Sequence, residues 1–370
     1  MESLSNKSLN LLSRLVLSPG SENVASNGSV TDSTTNLTKD VLQISRPEFE
    51  SLFALAETNH VALRGLDVFK QIASSAGDEV RIGWADVCLS AERARIHNAL
   101  SFLSEICGAF TNDGSSVAVI KSLDHLPDLG SDLDLYTNAK PGDVVNLMER
   151  EFDTKLASRS WGDRLACKWN FIIPGLSELV EIHVGRLGQT GEQFAIAASL
   201  IDRTRCISVG DLFFRVPSVS DRLMISTLQR MYRHFYFRLC DIIDSAQLVD
   251  SRMVDYDDLY VAAKTAGIWE GVATYLAIVS DYVKLYRGVP LEVPQWVLKA
   301  ARFSGGEIFF AKDFLRVPIL PQSAMLYGSQ LAGVLKRKQL HSGARLSLLP
   351  WLATAALVGQ KITGSDKGIW

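Results

Sequence analysis

Apolar and acidic residues alternate within residues 117–136, and the pattern predicts two short strands joined by a polar turn. In the second strand Asp132 and Asp134 alternate with Leu133 and Leu135. Because successive side chains of a strand point to opposite faces, both carboxylates lie on one face. Carboxylates placed together repel each other unless a cation lies between them. We therefore expect a divalent cation here, and we expect Asp-to-Asn changes to leave the metal-free protein folded or even more stable.

A second alternating run covers residues 179–184, where Glu181 and His183 share one face and Ile182 lies on the other. Glu181 is thus a third acid that a neighbouring strand would bring to the same site. Two simpler interpretations remain open. Asp-x-Asp on an exposed strand is often a solvated face, and Glu181 would equally suit a sheet edge beside a surface histidine. Residues 165–173 and 212–216 are also predicted as strands.

Apolar residues recur every three to four positions over most of the remaining chain, which predicts helices. The predicted helices cover residues 46–56, 61–72, 84–110, 141–152, 191–204, 222–243 and much of 256–360. The polar side of the long helix that starts near residue 222 carries Arg230, Arg233, His234 and Arg238. These basic residues would face either a bound phosphate or solvent.

Residues 1–45 differ from the rest of the chain in composition. After a leucine-bearing piece at residues 9–17 they are rich in small polar residues and poor in large apolar ones. Such a composition predicts a disordered leader whose removal leaves the fold intact, or alternatively a transit peptide. The leucine-bearing piece is too short for a membrane span, as is the apolar stretch at residues 346–358.

Composition and charge narrow the class of protein. With 370 residues, 47% of them hydrophobic, the chain can bury a large core and is predicted to form two domains. A formal net charge of −3 gives no overall signal for nucleic-acid binding. The cysteines show neither a CxxC pair nor a spaced histidine partner, which argues against a zinc site and a disulfide framework and favours a reducing, cytoplasmic setting. They are Cys88, Cys107, Cys167, Cys206 and Cys240. His60 and His97 are assigned packing or surface roles only.

Two short motifs carry a resemblance to a known family. A small-residue turn at Lys121-Ser122 is followed by the run Gly-Ser-Asp-Leu-Asp-Leu at residues 130–135. This arrangement resembles the signature of the nucleotidyltransferase superfamily, whose best-known member is DNA polymerase β. It is most similar to an uncharacterised bacterial nucleotidyltransferase family in which the motif is Leu-Lys-Gly followed by a downstream Asp-hydrophobic-Asp. Lys121 departs from the glycine that most superfamily members keep there, and Glu181 stands where the family commonly has an Asp.

The resemblance implies an α+β fold in which a small mixed nucleotidyltransferase-type sheet is flanked by helices. It implies a helical lead-in over residues 46–114, a nucleotidyltransferase core over residues 115–218 and a helical C-terminal domain over residues 219–370. It also implies the site. The implied catalytic acids, which would hold Mg²⁺ or Mn²⁺, are Asp132, Asp134 and Glu181. The implied nucleotide-binding residues are Lys121, Ser122, Gly130 and Ser131.

The implied reaction is metal-dependent transfer of a nucleoside monophosphate from an NTP, with ATP expected, to a hydroxyl of an acceptor. A small molecule such as an antibiotic or a sugar is favoured as acceptor over nucleic acid, because no basic groove with interleaved aromatic residues is visible. Two alternatives stand beside this function. One is a non-catalytic protein that senses nucleotides or binds a partner, and the other is an antitoxin-like transferase that modifies a protein. Intact acids at all three positions favour an enzyme.

Overall fold

A five-stranded mixed sheet lies at the centre of the fold in the computed structural model, which describes residues 2–17, 30–188, 194–348 and 350–351. In spatial order its strands are β1 (Val117–Val119), β2 (Asp132–Thr137), β5 (Leu179–Val184), β4 (Lys168–Ile172) and β3 (Lys155–Leu156). β2 and β5 run parallel, and the other neighbouring strands are antiparallel. Two smaller sheets pair β6 (Arg205–Val209) with β7 (Leu212–Val216), and β10 (Phe314–Arg316) with β8 (Tyr236–Phe237) and β9 (Phe309–Ala311).

Helices precede and follow the central sheet, so the predicted α+β fold with a small mixed sheet flanked by helices is confirmed. Before the sheet lie α1 (Glu2–Leu17), α2 (Val30–Gln43), α3 (Arg46–Thr58), α4 (Ala62–Ser75) and α5 (Glu79–Asn112). Within or directly after it lie α6 (Pro141–Phe152), α7 (Trp161–Leu165) and α8 (Phe194–Leu200). The C-terminal helices are α9 (Val219–Thr227), α10 (Leu239–Asp250), α11 (Tyr256–Ala266), α12 (Trp269–Arg287), α13 (Gln295–Leu298) and α14 (Ala324–Lys336). None of the helices in the described ranges is long and apolar enough to cross a membrane.

The long helix α5 delivers the chain into β1. It begins at Glu79, where the Asp78 side chain accepts a hydrogen bond from the Arg81 N–H, and it ends just before Gly114, whose φ is +77°. Its buried positions recur at helical spacing and include Leu89, Ile96, Ala99, Leu103, Ile106 and Phe110. Burial of this stripe fixes the direction from which the chain enters the sheet.

The prediction of a disordered leader is wrong for the described part of residues 1–45. Helix α1 packs against α3, α4 and α12, and Leu12 and Val41 are fully buried. Gly65 permits the close approach of α1 to α4, because a Cβ there would lie 3.0 Å from Leu12 Cδ1. Leu9, Leu12 and Leu15 of α1 are buried, although the average composition of the whole segment is polar. Residues 18–29, the most polar part of the predicted leader, lie outside the described residues.

Leu12→Ala is expected to lower the free energy of unfolding by about 2–5 kcal/mol, since Leu12 is fully buried between α1 and α4. The matched control is Lys7→Ala on the same helix, whose side chain is 71% exposed. We expect this control to change stability by less than about 0.5 kcal/mol. Chemical denaturation of the full chain measures both values. Equal stability of the two variants would mean that α1 contributes nothing to the core.

Two predicted elements are shorter than their patterns indicate. The strand predicted at residues 165–173 begins only at Lys168, because Ser160 caps the short helix α7 and Cys167 takes a left-handed φ of +54°. The long helix predicted from residue 222 is interrupted at Phe235, whose φ is +55°. There the chain leaves a π-helical segment and β8 pairs with β10, a long-range contact that helical periodicity does not reveal.

Candidate functional site

The register of the sheet brings the predicted acids to one place. Asp134 lies directly beside Glu181 in the parallel β2–β5 ladder, and Asp132 lies two residues earlier on the same face of β2. We call Asp132, Asp134 and Glu181 the acidic face. A cavity of about 200 Å³ opens onto it, and all the predicted site residues line this cavity. Besides the acidic face they are Lys121, Ser122, Gly130 and Ser131.

Asp134, Glu181 and His183 form a group of potential metal ligands, with one ligand atom from each within 4.8 Å of the others. His183 Nε2 lies 3.4 Å from Asp134 Oδ1, and neither ring nitrogen has a hydrogen-bond partner among the described residues. Asp132 is not part of this group, and its Oδ2 accepts a hydrogen bond from Ser131 Oγ at 3.3 Å. The sequence places His183 on the face of Glu181, but only the register of two strands reveals its closeness to Asp134.

Two lysines form ion pairs with two of the three acids of the acidic face. Lys121 Nζ lies 2.7 Å from Asp134 Oδ1, and Lys168 Nζ lies 2.7 Å from Glu181 Oε1 and 3.0 Å from Asp163 Oδ1. Lys168 is 9% exposed, so its charge requires these partners. The sequence does not predict Lys168 and Asp163 as site residues. Lys168 reaches the site through the antiparallel register of β4 on β5, and Asp163 reaches it through the N-terminal cap of α7. The ammonium groups of Lys121 and Lys168 occupy the space in which a cation would contact the carboxylates.

The environment of each acid shifts its pKa differently. Burial alone would raise the pKa of Asp134, but Lys121 and His183 outweigh it and hold that pKa well below 3.8. Burial, followed by the charge of Asp134, raises the pKa of Glu181 to about 7 and that of Asp132 above 3.8. Burial lowers the pKa of His183 to about 4, so its imidazole is neutral at pH 7. Asp134 is therefore ionised at neutral pH, whereas Glu181 titrates close to neutral pH.

Lys121 is the central residue of a tight γ-turn. Its φ and ψ are +64° and −54°, and the Ser122 N–H donates to Ile120 O at 2.7 Å. This turn is rare and strained for a residue that has a Cβ. A glycine at this position would avoid the strain, because it has no Cβ. Here the ion pair of Lys121 with Asp134 offsets it.

Ser122 and Gly130 have structural partners of their own. The Ser122 hydroxyl accepts from the Asp134 N–H at 2.8 Å and donates to Asp132 O at 3.3 Å, so it fastens the turn to β2. A Cβ on Gly130 would lie 3.0 Å from His60 Cε1, which means that glycine makes room for the histidine ring. The nucleotide contacts of these two residues stay predictions.

Besides the acidic face, the cavity is lined by Arg230, Arg233 and Arg238, which we call the arginine wall. Arg230 is 2% exposed, and its Nε lies 2.7 Å from Asp241 Oδ2. Each member has a buried nitrogen without a hydrogen-bond partner in the described part of the chain, namely Arg230 Nη1, Arg233 Nε and Arg238 Nε. Buried donors without partners are costly, and guanidinium groups match phosphate geometry well. The wall is therefore suited to an anion that enters the cavity. Arg230 and Arg233 lie on the π-helical segment Leu228–His234, a conformation that is frequent at functional sites.

We expect Lys121→Gly to raise the affinity of the metal-free protein for Mn²⁺ by at least about tenfold, because it removes the ammonium that competes for Asp134. Lys121→Ala removes the same charge but keeps a Cβ at the positive φ. The Gly variant should therefore be more stable than the Ala variant by about 1–3 kcal/mol. Calorimetric titration with Mn²⁺ and chemical denaturation measure the two effects. Unchanged Mn²⁺ affinity in both variants would show that Lys121 does not compete with a cation.

Comparison with known proteins finds similarity at the level of structure. No family model matches the chain, and no curated protein matches it. Among solved structures, the chain is similar to an antigenic nucleotidyltransferase-like protein from Paracoccidioides brasiliensis. The two share 14% sequence identity with a TM-score of 0.31, over 42% of this chain and 77% of the other.

Proposed function

We propose that this protein transfers a nucleoside monophosphate from an NTP, ATP being the expected one, to a hydroxyl of a small-molecule or sugar acceptor. The observation that carries the proposal is that acidic groups and arginines line the same cavity. Three carboxyl groups line this cavity, together with three arginines whose buried nitrogens lack partners in the described residues. A metal-bound triphosphate has the matching polarity, because its cation suits the acidic face and its phosphates suit the arginine wall.

The residues of the acidic face fit a divalent cation. Asp134 and Glu181 supply carboxylate oxygens from adjacent strands, Asp132 lies on the same face, and His183 adds a neutral imidazole nearby. Oxygen ligands of this kind favour Mg²⁺ or Mn²⁺, and a nitrogen ligand shifts the preference towards Mn²⁺. When bound, such ions neutralise charge on the α-phosphate and the leaving pyrophosphate and lower the pKa of the attacking hydroxyl.

The protein's own residues would position the reactants. Arg230, Arg233 and Arg238 would hold the phosphates through charge-assisted hydrogen bonds and orient the α-phosphate towards β2. Lys121 and Lys168, released from Asp134 and Glu181 when a cation takes their place, would find new partners in the phosphate oxygens. Ser122 would keep the turn fixed to β2 and so hold Asp132 and Asp134 in place.

One observation favours a second candidate function, a protein that binds nucleotides without transferring them. Lys121 Nζ lies 2.7 Å from Asp134 Oδ1, so Asp134 has a cationic partner without a metal ion. In that case the arginine wall and Lys121 would bind the triphosphate, and the carboxylates would serve only to orient the lysines. The two functions differ in whether the α-phosphate is ever transferred.

The experiment that tests the proposal follows the label of the NTP. The full-length protein is incubated with Mg²⁺ or Mn²⁺, a cell extract and NTPs labelled at either the α- or the γ-phosphate. Nucleotidyl transfer puts the α-label on an acceptor and releases the γ-label as pyrophosphate. Transfer of the γ-label would mean phosphoryl transfer instead. Bound NTP with no labelled acceptor for any of the four bases would support the nucleotide-sensing candidate.

A further inference from the structure

Three side chains from distant parts of the chain meet beside the motif turn. His60 follows α3, His125 ends the short helical turn Ser122–His125, and Cys240 is the second residue of α10. One ligand atom from each lies within 4.8 Å of the others, and Cys240 is fully buried. All five cysteines are free thiols. The spacing of histidines and cysteines in the sequence argues against a zinc site, but spacing tests only ligands that come from one local motif.

His125 is held in the way that metal-binding histidines usually are. His125 Nδ1 lies 2.5 Å from Asp244 Oδ2, which leaves Nε2 as its available ring nitrogen. Asp244 is itself fixed by Arg64 Nη2 at 2.9 Å. A carboxylate on the far nitrogen is the common second-sphere partner of a metal-bound histidine, because it sets the tautomer and the ring orientation. His60 Nδ1 is buried and has no hydrogen-bond partner among the described residues, so this imidazole is left with unused bonding capacity.

The backbone around these side chains is also fixed. The Cys240 N–H donates to Asn59 O at 3.2 Å, and the Leu239 N–H donates to Asn59 Oδ1 at 3.0 Å. These bonds join the start of α10 to the residue that precedes His60. His60 itself takes a left-handed φ of +53° and packs its ring against Gly130. The potential ligands are therefore brought together by interactions that do not require a metal ion.

We propose that His60, His125 and Cys240 bind a transition-metal cation of the Zn²⁺ class. Imidazole nitrogens and a thiolate favour Zn²⁺ strongly over Mg²⁺, whereas the acidic face offers mainly oxygen. His60 and His125 also line the cavity, so a fourth ligand is expected to be water or an anion on that side. Cys240 Sγ gives up its proton when the cation binds. The bound cation joins the motif turn to α10 and to the α3–α4 connection, and it does so whether or not the protein transfers nucleotides.

Co²⁺ is the probe that tests this site, because thiolate coordination gives an absorption band that carboxylate coordination does not. Metal-free full-length protein is titrated with Co²⁺. We expect one equivalent to produce a thiolate-to-cobalt charge-transfer band together with the visible bands of a four-coordinate ion. Zn²⁺ should abolish both, and excess Mg²⁺ should leave them unchanged. A wild-type titration without the thiolate band would overturn the proposal.

Variants test whether the thiolate-to-cobalt band arises from these residues. Cys240→Ser should remove it, while the control Cys206→Ser, which changes an exposed thiol, should keep it. His60→Asn removes the imidazole with a residue that tolerates positive φ, and it should weaken Co²⁺ binding by at least about tenfold. This variant decides the question if Cys240→Ser does not fold. A band that survives in Cys240→Ser, or an unchanged Co²⁺ affinity in His60→Asn, would overturn the assignment.

Discussion

Glu181→Gln is expected to lower the rate of nucleotidyl transfer by at least about a thousandfold while NTP affinity stays within about threefold of the wild-type value. Asp132 and Asp134, together with the phosphates, would hold the cation that arrives with the triphosphate. Glu181 would supply the further carboxylate needed where the acceptor hydroxyl is activated. Gln keeps the size of the side chain but loses the charge. Wild-type turnover in this variant would show that Glu181 is not one of the proposed catalytic acids.

The matched control for this change is the next residue of β5. Ile182 is fully buried on the opposite face of the strand, so Ile182→Ala should cost about 2–5 kcal/mol of stability. The turnover of the folded fraction of this control should be unchanged. The pH profile provides an independent check. Because the pKa of Glu181 is about 7 and its protonated form cannot hold a cation, wild-type activity should rise as pH increases through 7.

Asp132→Asn and Asp134→Asn are expected to have opposite effects on the stability of the metal-free protein, although both lie on the acidic face. The folded-state pKa of Asp134 is lowered, so its carboxylate stabilises the fold above pH 3.8, and this contribution is lost as pH falls through the folded-state value. At pH 7 Asp134→Asn therefore removes a favourable ion pair with Lys121 and should destabilise the protein by up to about 3 kcal/mol.

The folded-state pKa of Asp132 is raised, so its contribution is fully present below pH 3.8 and is lost as pH rises through the folded-state value. Ionised Asp132 thus costs stability at pH 7, and Asp132→Asn should stabilise the metal-free protein. The expectation that either Asn change relieves repulsion is retained for Asp132 and revised for Asp134, because the sequence does not show that Lys121 reaches Asp134. Thermal unfolding in EDTA separates the two variants. Stabilisation by Asp134→Asn would contradict the role given to Lys121.

Both Asn variants should lose metal-dependent NTP binding by at least about a hundredfold. Loss of a direct ligand is expected to exceed the tenfold to hundredfold effect typical of residues that only orient ligands. Binding is measured by calorimetry with Mg²⁺ and NTP at pH 8, where Glu181 is largely ionised. An NTP affinity equal to that of the wild-type protein in both variants would rule out a metal site on β2.

The sequence predicts those parts of the site that depend on one strand alone. Alternation within residues 132–137 and 179–184 is a property of each strand alone, and it places Asp132, Asp134 and Glu181 on their faces correctly. His183 and Lys168 are different, because they meet the acids only through the registers of β5 on β2 and β4 on β5. Register depends on pairing between distant segments, which a single strand pattern does not specify.

The same distinction explains the errors in the predicted fold. Helical periodicity continues through residues 222–243, but pairing of β8 with β10 interrupts the helix at Phe235. Composition averaged over residues 1–45 is polar, whereas Leu9, Leu12 and Leu15 of α1 are buried. His60, His125 and Cys240 escape any spacing rule, because three separate elements bring them together. In each case tertiary contacts decide what local propensity leaves open.

The most direct test of the metal and nucleotide site is calorimetric titration of the wild-type protein with ATP, once in Mg²⁺ and once in EDTA. An acidic face and an arginine wall in the same cavity predict one bound ATP per chain in Mg²⁺, with an affinity at least about tenfold weaker in EDTA, because without the cation the triphosphate meets the carboxylates directly. Equal ATP affinity in Mg²⁺ and in EDTA, or no binding in either, would contradict the account.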